Sequence, residues 1–514
     1  MRNIKYILLT FILTSTVISC DDFGDTNINL NGAENPATSG LLGGAIMNYA
    51  TFTGRTGVTI PTLLVQYQAQ VTYTDEMLYA QSHYGWNTYY GIMKSLTMII
   101  DICSDVNQQT IEVLANGSAD NQKGVAQIFR AIVMKRVADV YGDAPFSAAF
   151  QGLVEVTPAY DTQESIYKAI IADLKAGRDL LKAAEKGPTG DILYGGSVAK
   201  WKKLANSVIM QAALQLSKKY PNVGQYAEVE YNAALTSGPI TALADEAWFT
   251  YQDAVGFRSP WFANRTADYF LSAEFVNALN GKSTTTGVVL YTGGPTINTV
   301  NPTSNRTADD RKKVYVRHNH QARNGVPYGY ETGSGSSRAQ MSVYYYWNAT
   351  ATIPLMTASY TYLNRAEAVE LGWNNADNAQ AMLQLGIERS FESLEAKAQK
   401  ADNAAGRTPT TLNKNAYVTA RLAQVGVDAS RLTIIREEKW ISLFGQAYDA
   451  WAEWRRTGVP ALAPATDSYN GGVIPRRFMY PGEEATLNST NYNAAVSNLT
   501  PGNDDNVART WWDK

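Results

Sequence analysis

The sequence predicts a mostly helical protein, a helical-repeat scaffold that carries long irregular loops and a few short β-strands. Three observations point there. Several blocks repeat apolar residues at helical spacing. Two of those blocks follow each other at a distance of about 35 residues, the length of one helix–turn–helix repeat. Between and after the helical blocks lie long stretches rich in Gly, Ser, Thr, Asn and Tyr, without period but with too many aromatics for disorder.

The chain of 514 residues opens with Arg2 and Lys5, an apolar run from Tyr6 to Ile18, then Cys20 followed by Asp21 and Asp22. A basic start and a short apolar core are the parts of a secretory signal peptide. The run falls short of the ~20 apolar residues that span a bilayer. A cysteine at the break predicts cleavage after residue 19 and lipid on Cys20. Residues 20–38, polar and Asn-rich, read as a flexible tether. Residues 39–514 are expected to form one domain.

Each helical block has its own signals. Val125, Ile128, Phe129, Ile132, Val133 and Val137 form an apolar face that Gly142 and Pro145 end. Ile166, Ile170, Ile171, Leu174 and Leu181 make a second stripe. Trp201, Leu204, Ala205, Val208, Ile209, Ala212 and Leu216 make a third, stopped by Pro221. The Gly195-Gly196 turn joins these last two, and the pair is tetratricopeptide-like in length. From about 242 to 353 the chain turns irregular, with one short helix at 272–280, Ser272 as its N-cap and Gly281 as its stop. Helical pattern returns over 363–371 and 382–391. The strongest helix is expected over 434–454, with Trp440, Trp451 and Trp454 in the core and Gly458 and Pro460 closing it. Its Arg436, Glu437, Glu438 and Lys439 read as a solvated or structural face, because adjacent helix positions do not face each other. Residues 460–514 are again irregular.

Composition excludes several functions. A net charge of −3 gives no footprint for nucleic acid. Two cysteines, one of them the lipid site, exclude a disulfide framework; Cys103 reads as a small core residue. The acidic doublets Asp309-Asp310, Glu483-Glu484 and Asp504-Asp505 show no carboxylate pairing of the kind a glycosidase needs. No G-x-S-x-G elbow and no phosphate loop occurs. His318 and His320 are two metal-ligand types without a third, so no metal and no cofactor is expected. The protein is not expected to be an enzyme.

Tyr (31) and Trp (11) far outnumber Phe (14), which suits a surface that binds by stacking and hydrogen bonding. The densest cluster is His83-Tyr84-Gly85-Trp86-Asn87-Thr88-Tyr89-Tyr90. There Trp86 and Tyr84 offer ring faces to a sugar and Asn87 reaches its hydroxyls. The alternative is that Trp86 and Tyr90 begin a helix and pack inward. Trp261 lies in the irregular region, where an exposed ring is expected. The run Val343-Tyr344-Tyr345-Tyr346-Trp347 has strand composition, so alternate rings, Tyr345 and Trp347, are candidates.

Several ordered segments carry a resemblance. They are the helix from Phe129-Arg130 into the D-x-Y-G-D-x-P turn at 139–145, W-K-K-L-A-N at 201–206, Y-L-N-R-A-E at 362–367, and E-E-K-W-I-S-L-F at 437–444. After them come A-W-A-E-W-R-R-T-G at 450–458, I-P-R-R at 474–477, and Tyr480-Pro481. This set resembles the SusD/RagB lipoproteins of the Bacteroidota outer membrane. The resemblance implies a tetratricopeptide-like scaffold and a ligand face built from long loops. It also implies lid-like partnership with a SusC-like TonB-dependent transporter. Asp21-Asp22 behind Cys20 is similar to the acidic signal that sends such lipoproteins to the cell exterior. The expected function is capture of an oligosaccharide. Capture of an oligopeptide, or a scaffold role with the transporter as principal ligand, are the alternatives.

Overall fold

A computed structural model describes residues 37–80, 84–281 and 307–514, with the side chains of 53–58 set aside. Cys20, the expected signal segment, nearly all of the expected tether and His83 lie outside these residues. Helices pack as antiparallel neighbours along the chain. The first pair is α1 (Thr38–Leu64) with α2 (Trp86–Ser104), the second α3 (Ala119–Tyr141) with α4 (Gln163–Leu180). The third is α5 (Val198–Gln215) with α6 (Tyr226–Thr236), and the fourth α7 (Ala358–Glu370) with α8 (Ala379–Ala404). Then come α9 (Lys414–Ala423), α10 (Arg431–Ser442) and α11 (Ala447–Thr457). No helix among the described residues is long and apolar enough to cross a membrane.

Local chemistry sets the helix ends. Ser118, Thr162, Thr357, Asn378 and Ser430 each accept a backbone amide from the first turn that follows, filling a donor the helix leaves free. The tightest helix contact is set by two glycines. A Cβ on Gly124 of α3 would lie 2.6 Å from the Gly177 carbonyl of α4, and one on Gly177 would lie 2.7 Å from the Gly124 carbonyl. That backbone approach explains why α4 packs more extensively on α3 than on α5. The repeat expected from the 166–181 and 201–216 stripes therefore straddles two pairs, with Gly195-Gly196 between repeats.

Two further expectations change. The long helix over 434–454 is two helices, broken at Leu443–Gln446, where Gly445 takes φ +96°. The break turns Phe444 inward to stack on Phe275 at 4.9 Å. Residues 343–347 form a turn, not a strand. The Ser342 carbonyl accepts the amides of Tyr346 (3.2 Å) and Trp347 (3.0 Å), and its hydroxyl accepts that of Tyr344 (3.3 Å). In-and-out alternation is lost: Tyr345, Tyr346 and Trp347 are buried together and Tyr344 faces out.

Strand content is slight. β1 (Gln68–Gln70) pairs antiparallel with β3 (Tyr269–Leu271), and β2 (Ala247–Thr250) with β4 (Thr352–Met356). The charged run on α10 is structural. Buried Arg421 pairs with Glu437 and Glu438, and Glu438 also meets Arg311 at 2.8 Å. Glu367 of α7 takes Arg456 at 2.9 Å and Lys439, tying α7, α10 and α11 together through buried charge. The C-terminal stretch is built into the scaffold: Arg477, Trp512 and Asp513 are fully buried, and the Tyr480 hydroxyl donates to the Asp143 carbonyl at 2.8 Å. Cys103 is a free, buried thiol that burial pushes up to about 11.

Candidate functional site

Trp86 follows the inward alternative. It opens α2 and is 6% exposed, boxed by Tyr90 and Tyr141 at 5.0 Å, Tyr480 at 5.8 Å and Tyr160 at 6.1 Å. Gly85, at φ +96°, makes the turn into α2, where a Cβ would strike the Phe52 ring at 2.5 Å. Tyr84 and Asn87 remain exposed, and the Tyr84 carbonyl accepts the Tyr141 hydroxyl at 2.7 Å. Asp143 of the D-x-Y-G-D-x-P turn accepts the Gln163 amide at 2.7 Å, so the motif anchors α4.

Trp261, Tyr345 and Trp347 do come together, but beneath the surface. Trp261 (2% exposed) meets Trp347 edge-on at 5.8 Å, and the Trp347 indole donates to the Asn264 carbonyl at 3.0 Å. The Ser259 amide donates to the Ala349 carbonyl at 2.8 Å, which staples the two segments. None of the three indoles singled out presents a ring face to a ligand, because each is enclosed by other side chains. Tyr345, 4% exposed, is likewise buried.

The rings that face outward are neighbours of the predicted ones. Phe262 is 48% exposed and Tyr344 43%, and both line an open groove of about 620 Å³. Asp253, Asn348, Thr350, Lys397 and Lys400 contribute polar groups to the same groove. A second cavity of about 380 Å³ adjoins it, shares Tyr344 and Tyr345, and includes Lys313, His318 and Arg407. Tyr84, Trp86 and Asn87 line neither.

Each of these two rings lies against a guanidinium. Arg407 lies 3.6 Å from the Tyr344 ring centre and Arg258 lies 5.4 Å from that of Phe262. Arg258 is fixed in turn by Asp253 at 2.6 Å. Arg407 is fixed by Asp402 at 3.3 Å, and buried Asp402 accepts the Tyr345 hydroxyl at 2.8 Å and the Thr410 amide at 2.9 Å. Burial alone would raise the Asp402 carboxyl, yet the hydrogen bonds from Thr410 and Tyr345 hold it below the usual range. A buried tyrosine thus steadies an exposed one through a carboxylate and a guanidinium. The result is a groove with two oriented apolar faces and a polar rim.

The acidic residues singled out in the sequence have structural partners. Asp309 is held by Arg311 at 2.7 Å, Asp504 by Arg477, and Glu484 accepts the Tyr160 hydroxyl at 2.6 Å. Among the described residues no three His, Cys, Asp or Glu gather to hold a metal ion. His318 lines the side cavity, whereas burial pushes His320 down to about 4.

The sequence reading missed Phe262, Tyr344, Lys397 and Arg407. Phe262 and Tyr344 each adjoin a ring it did single out, so composition located the segments and not the outward positions.

The model for SusD-like proteins, described as "Susd and RagB outer membrane lipoprotein", matches residues 64–513. Among solved structures the chain is similar to a chitin-binding protein, with 24% identity and a TM-score of 0.73 over 93% of this chain and 100% of that one. It is also similar to a SusD homologue of Bacteroides fragilis, with 23% identity and a TM-score of 0.73 over the same shares. A SusD homologue of Parabacteroides distasonis gives 21% and 0.72, over 93% of this chain and 97% of that one. No curated protein sequence matches the chain.

Proposed function

The chain belongs to the SusD-like family of nutrient-binding outer-membrane lipoproteins, and on that premise we propose that it captures an oligosaccharide on the groove between Phe262 and Tyr344. It then passes the sugar to a SusC-like TonB-dependent transporter. The observation that carries this reading is the pair of exposed rings, each oriented by a guanidinium behind it, at the edge of an open groove. Pyranose C–H faces pack on such rings, and Asn348 and Thr350 line the same groove. The likeness to a chitin-binding protein favours a glycan over a peptide. Lipid on Cys20 and the tether behind it would anchor the domain at the cell exterior beside its transporter. In this reading the protein binds without catalysis.

The test is calorimetric titration of protein beginning after Cys20 against matched panels of oligosaccharides and oligopeptides. Saturable binding by a glycan class, lost in Phe262→Ala, is the expected result. Saturation by peptides alone would overturn the glycan reading.

A further inference from the structure

The groove has a charge preference that rings alone would not give. Lys397 and Lys400 lie three positions apart on α8, hence on one face, and both line the groove. The Lys397 ammonium sits 3.6 Å from the Tyr346 ring centre and 5.4 Å from that of Trp248, and it donates to the Thr352 carbonyl at 2.9 Å. An ammonium carries three donors, and the carbonyl takes one. Among the described residues no carboxylate forms an ion pair with Lys397 or Lys400. The acid that shares the groove, Asp253, is already held by Arg258 at 2.6 Å. Lys313 and Arg407 of the adjoining cavity, by contrast, each have a carboxylate, Asp310 at 2.7 Å and Asp402 at 3.3 Å. Two cations without carboxylate partners and two exposed rings thus line one groove.

We propose that the groove selects acidic oligosaccharides, with sugar rings on Phe262 and Tyr344 and their carboxylate or sulfate groups on Lys397 and Lys400. This inference rests on the glycan-capture reading above. Rings give contact area to any sugar; the two ammonium groups discriminate, because a neutral sugar leaves them unpaired.

Titration adds an independent signature. Removal from water pushes the Lys397 ammonium down to about 7. The groups that face it are the Tyr346 and Trp248 rings, the Thr352 carbonyl, and in the groove Lys400 and Asp253. An anion binds the charged form, so its affinity is full below that value and falls as pH rises through it, by about tenfold between pH 6 and 8.

The experiment is calorimetric titration at pH 6 and 8 with three probes of matched length. They are an oligogalacturonate, a sulfated carrageenan oligomer free of uronate, and a neutral chito-oligosaccharide. At least one acidic probe is expected to bind tenfold or more tighter than the neutral one. Lys397→Met and Lys400→Met should each shrink that ratio severalfold, and Lys397→Met should also flatten the pH dependence. Lys397→Met keeps an apolar stem against Tyr346, and exposed Lys400 can be replaced without touching the core. If neutral and acidic probes bind alike and the ratio ignores both substitutions while Tyr344→Ala still weakens binding tenfold or more, acid selection is wrong and glycan capture stands. If no oligosaccharide binds at all, or peptides alone bind, both readings fall.

Discussion

Replacing Tyr344 by Ala removes one wall of the groove and should leave the fold in place. The residue is 43% exposed, and a tyrosine presents about 200 Å², so roughly 85 Å² of it faces the groove. Arg407 covers one ring face at 3.6 Å, which leaves the other face and the rim. A pyranose ring resting there would cover about half of the exposed area, worth about 1 kcal/mol at ~25 cal/mol per Å². Close C–H contacts add roughly 0.5–1 kcal/mol of dispersion. The expected loss is therefore about 1.5–2 kcal/mol, or 10- to 30-fold in Kd. Folding should lose only the exposed cation–π contact, about 0.5–1 kcal/mol. Titration calorimetry on a glycan that binds the unaltered protein, beside circular dichroism, checks both numbers. Tyr344→Phe keeps the ring and should stay within about threefold of the parent. Tyr344→Ala binding within twofold of the parent would refute the assignment of this groove as the capture surface.

Three further outcomes follow from burial and charge. Trp86→Ala empties the aromatic box around α2 and should cost about 3–5 kcal/mol in urea denaturation, while the folded fraction binds glycan as the parent does; exposed Asn87→Ala should change neither. Glu367→Ala strips a shared acceptor from buried Arg456 and Lys439 and should cost about 3–5 kcal/mol by the same assay. Desolvation pushes the Glu274 carboxyl up to about 7, and its Oε2 is buried without a hydrogen-bond partner. A carboxyl raised on folding contributes stability at pH 4 that is lost as pH climbs through 7. Glu274→Gln should therefore match the parent at pH 4 and exceed it at pH 8 by up to about 3 kcal/mol; equal stability at both pH values would contradict that origin.

The helices were legible because each carries its own period and stops. Gly142 and Gly281 stand where the chain leaves α3 and the short helix Ala273–Leu279. What could not be read locally was partnership. Nothing near Gly124 announces that Gly177 will sit against it, 53 positions later. Likewise Gly445 is one small residue inside an otherwise continuous apolar period, and the packing of Phe444 on Phe275, Tyr67, Tyr315 and Tyr346 rewards the break. The predicted rings and the exposed ones differ by one position for a related reason. Strand composition at 343–347 implies alternation, but Ser342 accepts three amides and winds the segment into a turn. That winding buries Tyr345 and Trp347 and puts Tyr344 outside.

The surplus of Tyr and Trp then acquires a different cause from the one composition suggests. A fold whose described residues hold two short two-stranded ladders has little sheet to satisfy the carbonyls of its long loops, and a buried carbonyl without a donor is costly. Trp and Tyr supply such donors on an apolar body that can itself be buried. Trp440 donates to the Val65 carbonyl, Trp451 to that of Pro475, Trp454 to Pro460, Trp373 to Pro221 and Trp347 to Asn264. Tyr90 does the same for Pro145, Tyr194 for Asp245 and Tyr480 for Asp143. Four of these acceptors belong to proline, which has no amide to offer a ladder in return. The amphipathic aromatics thus fasten irregular backbone to the helical scaffold. It follows that ring count alone points to loops that need holding. A ring becomes a candidate for ligand contact only when its face is free and something other than the core, here Arg258 or Arg407, keeps it in place.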